Sequence, residues 1–372
     1  SLFQGRCRFG VAGNINRVDM TKIVEIERRK IGPGNPCFIV GEIGINHNGD
    51  PQRAMEMIDA IADAGADCVK FQTFRAQEFL ADESLTYTYC SQGEEITESQ
   101  MEMFQRCEFD WSEFEGLFTH VRERGLIPLS TPTDRDAVDF LEKMGVGAFK
   151  VGSDDIVYTP FLGYIARKGK PVIISSGMAD AGDIKRAVKA IEEAGNDQII
   201  VCHCVSEYPT PEEHVNLRKI SELGKLLEHP VGFSDHSQGL TAAMGAVAMG
   251  ACYFERHFTL DKELPGPDHW FAADPEDMKS LVTGIRQMEQ NLGAGTLRVS
   301  DEEEEMKQLA RRSIVAAVDL EAGHVIRDDD LAYQRPGTGL MPYEATRIVG
   351  RRTGKAISAS TMLAPDMLEE ET

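Results

Sequence analysis

Eight short apolar runs divide most of this chain, and nothing else in the sequence narrows its fold as much. They are CFIVGE from Cys37, DCVKFQ from Asp67, LIPLST from Leu126, GAFKVG from Gly147, PVIISS from Pro171, QIIVCH from Gln198, PVGFSD from Pro230 and ACYFER from Ala251. Each is too short for a helix and largely apolar until its end, interrupted only by Lys70 in the second and Lys150 in the fourth, the pattern of a strand buried on both faces. Helical patterns lie between them. DPQRAMEMIDAIADAG has Asp50 placed to cap a helix, Pro51 at its first position, Ala54, Met57, Ile58, Ile61 and Ala62 at helical spacing, and Gly65 to end it. DRDAVDFLEKMG, DAGDIKRAVKAIEEAG and DPEDMKSLVTGIRQMEQNLG repeat that logic from Asp to Gly. Eight such units over roughly 255 residues predict an α/β fold closed as a (β/α)8 TIM barrel. The alternative is an open doubly wound sheet, but EIGINHNG after the first run matches no Gly-rich phosphate loop.

The barrel is expected over 37–293, after an N-terminal segment of 1–36. Within that segment SLFQG resembles the remnant of an expression tag, which would make about 1–19 foreign and Met20 the natural start. Residues 73–112 form the one long connection, expected to be a lid or binding loop. Residues 294–312, polar and with four consecutive glutamates, read as a solvated linker. Residues 313–372 form a small second unit of short strands and turns.

The net charge of −22 argues against nucleic acid or an anionic membrane as partner. An anionic substrate would then require cations concentrated at its site. No apolar run reaches the roughly 20 residues that span a bilayer, and no secretory leader is visible, so the expected location is cytoplasmic. The eight cysteines follow no disulfide framework and are expected to be reduced; Cys202 and Cys204 are expected in the core of the sixth strand.

In a barrel of this kind the active site lies at the C-terminal strand ends. There the sequence places Glu42; Lys70 and Gln72; Ser130 and Thr131; Lys150, Ser153 and Asp155; Ser175 and Ser176; His203 and Ser206; Ser234, Asp235 and His236; and Glu255, Arg256 and His257. Two lysines flanking several hydroxyls suit a small dianion. His236 and His257, from neighbouring strands, suit one ion of Mn, Fe, Co or Zn. Strand alternation turns Glu255 and His257 to one face and Arg256 to the other, where it would pair with a carboxylate.

The motifs FIVGEIGINHNGD, DCVKFQT, STPTD, FKVGSDD, PVIISSGM, YPTP, GFSDHS, ERHFTLD and PGPDH, in that order, resemble the sialic acid (N-acetylneuraminic acid) synthases. The tail AGHVIRDDDLAYQRPGTG resembles their C-terminal antifreeze-like, or SAF, domain. The resemblance implies condensation of phosphoenolpyruvate with open-chain N-acetylmannosamine, an N-acetylated hexosamine, with release of phosphate by C–O cleavage. It also implies a divalent metal, Mn2+ before Mg2+ or Co2+, and a domain-swapped homodimer. Carried over by residue, Lys70, Thr131, Lys150, Ser153, Ser175, Ser206 and Ser234 would hold phosphoenolpyruvate. Gln72, Asp155, Tyr208, Asp268 and the tail residue Arg335 would meet the sugar. His236 and His257 would hold the metal, and Glu42 would act at the reacting centre. Asp155 and Ser206 vary within the family, and related enzymes make legionaminic or pseudaminic acid from 2,4-diacetamido sugars, or the 9-phosphate from a 6-phosphorylated sugar. A Schiff-base aldolase using Lys70 or Lys150 is the rival enzyme class, and a carbohydrate- or ice-binding protein the rival outside catalysis.

Overall fold

The computed structural model describes residues 22–369; the expected tag remnant and Met20 lie outside the described residues. The described chain opens with an antiparallel hairpin, β1 (Val24–Ile26) and β2 (Arg29–Ile31). Eight parallel strands follow, interrupted by a second hairpin: β3 (Phe38–Gly44), β4 (Cys68–Thr73), then β5 (Thr86–Ser91) and β6 (Glu94–Ser99) of that hairpin, then β7 (Ile127–Pro132), β8 (Phe149–Val151), β9 (Val172–Ser175), β10 (Ile199–Cys204), β11 (Val231–Asp235) and β12 (Tyr253–His257). Parallel ladders run β7-β4-β3-β12-β11-β10-β9-β8, so the last strand pairs with the first and the sheet curls into a (β/α)8 barrel. The seam between β7 and β8 carries no ladder among the described residues.

The covering helices are where the apolar spacing puts them. The first, α1 (Pro51–Ala64), is capped by Asp50, whose carboxylate accepts from the backbone N–H of Gln52 and Arg53, and Gly65 ends it with φ of 85°. Its inward face, Met57, Ile58 and Ile61, packs into the continuous layer between strands and helices. Asp134, Asp180 and Asp274 cap the helices Arg135–Lys143, Ala181–Glu193 and Pro275–Leu292 through their side chains in the same way. A separate apolar cluster fills the barrel interior at its N-terminal end. There Val24, Ile26 and Ile31 of the first hairpin meet Phe38, Ile127, Ile173 and Ile200 from the strands. The hairpin is therefore a floor to the barrel. Charged residues alternating with apolar ones in VEIERRKI hide that role from a search for apolar runs.

The long connection is not a loop. It folds into a short helix (Ala76–Phe79), the β5–β6 hairpin and a helix Gln100–Cys107. The turn between the strands has Gln92 and Gly93 both at positive φ, 53° and 80°, as a two-residue hairpin turn demands.

The described chain divides into two compact units after Gly293. The second contains the antiparallel pair β13 (Ser313–Ala316) and β14 (Leu331–Gln334) over a small core of Ile314, Leu320, Ile326, Ile357 and Leu363. Half of the expected linker is helical, over Asp301–Ala310. The Ser300 hydroxyl accepts from the Glu303 N–H and Glu303 reaches back to the Ser300 N–H, while four acids in the first turn oppose the positive end of the helix dipole. The acidic run is a helix start, not merely a solvated stretch. Among the described residues no helix is long and apolar enough to cross a membrane.

Candidate active site

The C-terminal strand ends surround a chamber of about 600 Å3, into which β3, β4, β7–β12 and their following turns all send side chains. Its floor is a buried square of two lysines and two glutamates. Lys70 Nζ lies 2.9 Å from Glu42 Oε2 and 3.5 Å from Glu255 Oε1, and Lys150 Nζ lies 3.4 Å from the same Glu255 oxygen. Lys70 donates to Thr131 Oγ1 at 3.2 Å, and Lys150 donates to Ser175 Oγ at 2.8 Å. Glu255 also accepts from Ser234 Oγ (3.0 Å) and from the Tyr253 hydroxyl (2.7 Å). Strand alternation thus places Glu255 in the site, while Arg256 turns away to pair with Asp235 at 2.6 Å.

The two carboxylates differ in their company. Burial and the neighbouring Glu255 raise Glu42 from 4.5 to about 7, against the pull of Lys70 and Lys150. Glu255 is buried too, but Lys150, Lys70 and two hydroxyl donors outweigh that and hold it below the ordinary carboxylate range. Glu255 is therefore the fixed anion of the square and Glu42 the member that exchanges a proton near neutrality. Lys70, although buried, is raised by its two carboxylate neighbours. A cationic Lys70 is a poor amine nucleophile, which counts against a Schiff-base role for it.

Beside the square, Gly177 provides room for a cluster of donors. A Cβ there would stand 2.3 Å from Ser206 Oγ and 2.7 Å from Ser153 Oγ. Ser153 Oγ accepts from the Gly177 N–H at 3.0 Å, and Ser206 Oγ is buried with no hydrogen-bond partner among the described residues. An orphaned hydroxyl next to another hydroxyl and two lysines is prepared for an anionic oxygen.

Across the chamber the rings of His236 and His257 lie 5.4 Å apart, with Tyr208 over His236 at 4.2 Å, tilted by 36°. His236 Nδ1–H donates to the Val205 carbonyl at 2.7 Å, which leaves its Nε2 as an acceptor. Burial holds His257 well below the ordinary imidazole value, and its Nδ1 has no hydrogen-bond partner among the described residues. Asp268, raised to about 6 by burial, stands 3.5 Å from that nitrogen. These donors fit a divalent cation. No cluster of three or more His, Cys, Asp or Glu side chains able to hold a metal occurs among the described residues, so water or substrate would complete the shell.

Most residues assigned by the resemblance line this chamber: Glu42, Lys70, Gln72, Thr131, Lys150, Ser153, Ser175, Ser206, Tyr208, Ser234, His236 and His257. Of the other strand-end candidates Glu255 joins them, while Ser130, Ser176, His203, Asp235 and Arg256 stay out of the lining. Three of the residues assigned by the resemblance do not line it. Asp268 stands behind His257. Asp155 is displaced from the lining by its neighbour Asp154, because the chain has left strand geometry after Val151 and alternation no longer predicts direction. Arg335 is exposed just after β14 in the second unit. Cys202 is in the interior cluster as expected, but Cys204, though buried, faces the chamber with its sulfur 3.9 Å from His236 Nδ1. Phe74, Tyr87, Phe104 and Glu207 also line it. Tyr87 arrives on the β5–β6 hairpin, whose alternating TYTYCS and two-residue turn were a signal for it.

Residues 57–297 match the NeuB family, and residues 311–369 match the SAF domain. An N,N'-diacetyllegionaminic acid synthase of Legionella pneumophila is 40% identical over 342 residues, covering 91% of this chain and 96% of that one. The N-acetylneuraminate-9-phosphate synthase of Homo sapiens is 32% identical over 346 residues, covering 92% and 95%. The crystal structure of N-acetylneuraminic acid (sialic acid) synthetase from Leptospira borgpetersenii serovar Hardjo-bovis, in complex with citrate, superposes with a TM-score of 0.70 at 33% identity, over 77% of this chain and 95% of that one.

Proposed function

The chain belongs to the NeuB family and carries a SAF domain, and from that premise we propose that it condenses phosphoenolpyruvate with an unphosphorylated, open-chain N-acetylated hexosamine to give a nonulosonic acid and phosphate. The observation that carries the reading is the meeting, in one chamber, of the Lys70–Lys150 square, the Ser153–Ser206 hydroxyl cluster and the His236–His257 pair.

Lys70 and Lys150 offset the charges of phosphoenolpyruvate, with Thr131, Ser153, Ser175, Ser206 and Ser234 as short donors to its oxygens. Its C3 forms the new carbon–carbon bond to the sugar aldehyde carbon, whose oxygen takes up a proton. Positive charge develops at C2, water adds there and gives up one proton, and the C–O bond to phosphate breaks as the remaining hydroxyl proton passes to the leaving phosphate, giving the keto acid. Glu42 as carboxylate opposes the charge at C2 and orients the water. What a divalent cation supplies when bound at His236 and His257, Mn2+ before Mg2+ or Co2+, is Lewis-acid polarisation of the aldehyde oxygen. Gln72 and Tyr208, which line the chamber, would meet the sugar, with Asp268 acting from behind His257.

Apart from the two histidines, the cationic residues lining the chamber are Lys70 and Lys150, both buried at its floor. The outer wall is Phe74, Tyr87 and Phe104 with the acids Asp154 and Glu207. A 6-phosphate on the sugar would meet those acids with no cation in this lining left to answer it, so the 6-phosphate substrate is disfavoured unless Arg335 supplies the counter-charge. The 40% identity to a diacetyllegionaminic acid synthase favours a 2,4-diacetamido sugar, with N-acetylmannosamine as the second reading.

Phosphate release from phosphoenolpyruvate with Mn2+, across N-acetylmannosamine, its 6-phosphate and the two 2,4-diacetamido-trideoxy hexoses, tests this. A diacetamido sugar should give the highest kcat/KM and the 6-phosphate the lowest; no phosphate from any of them would defeat the reading. His257→Ala should keep the fold, lose metal-dependent turnover and bind Mn2+ at least about ten-fold more weakly by electron paramagnetic resonance. We also take the active form to be a homodimer in which Arg335 serves the sugar. Arg335→Ala should raise the sugar KM several-fold and leave that of phosphoenolpyruvate unchanged.

A further inference from the structure

The barrel carries a second charged cavity, formed not by the strand-end turns but by its floor hairpin. Arg28, Arg29 and Lys30, three consecutive cations in a chain of net charge −22, line a cavity of about 280 Å3 with Asn35, Cys37 and Asp67. Arg286 stands beside them. The three hairpin cations are exposed, and two carboxylates make ion pairs in this group, both already engaged; Glu25, opposite Lys30 across the hairpin, is at ion-pair distance from none of them. Asp67 accepts from Arg29, from Arg286 Nη2 at 2.9 Å and from the Ile39 N–H at 2.9 Å. Glu289 accepts from Arg286 Nη1 at 3.1 Å and from the Cys37 N–H at 2.5 Å. Arg28 and Lys30 have no carboxylate within ion-pair distance among the described residues, in a chain that has 61 acids to offer. The excess is felt locally: partial burial and the Arg286 and Arg28 cations lower Arg29 from its ordinary value.

The cavity does not stop at the cations. Asn35, Pro36 and Cys37 also line an adjoining cavity of about 450 Å3. Its remaining walls are uncharged, Gly32–Pro33–Gly34, Val247, Gly250 and Leu292, save for Glu289. A groove with two uncommitted cations at one end and glycine backbone at the other accepts a molecule with a phosphate head and a flat, uncharged body.

We propose that this floor groove binds a phosphorylated small molecule, its phosphates on Arg28 and Lys30 and its organic part along the Gly32–Gly34 and Gly250 wall. None of these residues belongs to the site at the mouth, so occupancy of the two is independent.

The test is calorimetric titration of the full, metal-free protein with ADP, inorganic pyrophosphate and adenosine, each with and without saturating phosphoenolpyruvate. ADP should bind saturably in both conditions and at least about three-fold more tightly than pyrophosphate, and adenosine alone should not bind. Arg28→Gln/Lys30→Gln should weaken ADP at least about ten-fold and leave phosphate-release activity unchanged, the activity also reporting an intact fold. Displacement of ADP by phosphoenolpyruvate would assign the binding to the mouth and overturn the proposal. So would equal ADP affinity in the double variant, or no saturable binding at all. Equal affinity for ADP and pyrophosphate would remove the organic half of the groove from the site. Titration with phosphoenolpyruvate alone reports separately on the mouth.

Discussion

At the scale of residues, the site's chemistry turns on which of two glutamates holds a proton. Glu255 has two lysines and two hydroxyl donors and stays ionised; Glu42 has one lysine in close contact and a second carboxylate nearby. If Glu42 acts as carboxylate, kcat/KM for phosphoenolpyruvate should rise with pH through about 7. Glu42→Gln should lose that limb and about a hundred-fold or more in rate. Stability should move the other way. The folded state keeps the Glu42 proton up to about 7 while the unfolded chain loses it near 4.5, so stability falls across that window and is flat above it. The loss is on the order of 3 kcal/mol, visible as a difference between melts at pH 5 and pH 8 that shrinks in Glu42→Gln. The identity and strand position of these residues were legible, because a polar residue ending an apolar parallel strand has one place to go. Their ionisation was not, since it depends on distances between β3, β4, β8 and β12 that no single segment contains.

At the scale of elements, the β5–β6 hairpin is the piece that closes one side of the chamber without belonging to the barrel. Two bonds fasten its tip: the Gly266 N–H donates to Ser91 Oγ at 3.1 Å, and Gln92 Nε2 donates to the Glu263 carbonyl at 2.8 Å. The segment it grips leads directly to Asp268 beside His257. Ser91→Ala/Gln92→Ala leaves the buried Gly266 N–H without its partner, a local cost of about 1–3 kcal/mol. Because the hairpin lies outside the main apolar core, the melting temperature should change little. The sugar KM should instead rise several-fold, with that of phosphoenolpyruvate unchanged, as steady-state kinetics in each substrate would show. An equal rise in both would mean that the hairpin shapes the whole chamber. The barrel helices were readable from their Asp caps and apolar spacing, but both hairpins were obscured. The charges that alternate with apolar residues in VEIERRKI mask a floor, and the second hairpin lies within a long connection whose length alone does not disclose its strands.

At the scale of the molecule, the proposed activity sets an acidic protein against an anionic substrate. The chamber does not reverse the sign of its surroundings: the lysines are matched by Glu42 and Glu255, and Asp154, Glu207 and Asp268 add further acids at or behind its walls. Long-range repulsion from a net charge of −22 must then slow the approach of phosphoenolpyruvate, even though short-range contacts hold it once it arrives. Salt screens the first effect far more than the second, because the Debye length falls from about 30 Å at 0.01 M to about 10 Å at 0.1 M while the buried contacts span a few ångströms. Raising ionic strength over that range at fixed Mn2+ should therefore increase kcat/KM for phosphoenolpyruvate, by about three-fold. The same change should leave kcat/KM for the uncharged sugar nearly constant. A fall with salt would mean that local cations dominate the approach, and would point to charge brought to the mouth by another subunit or by the metal.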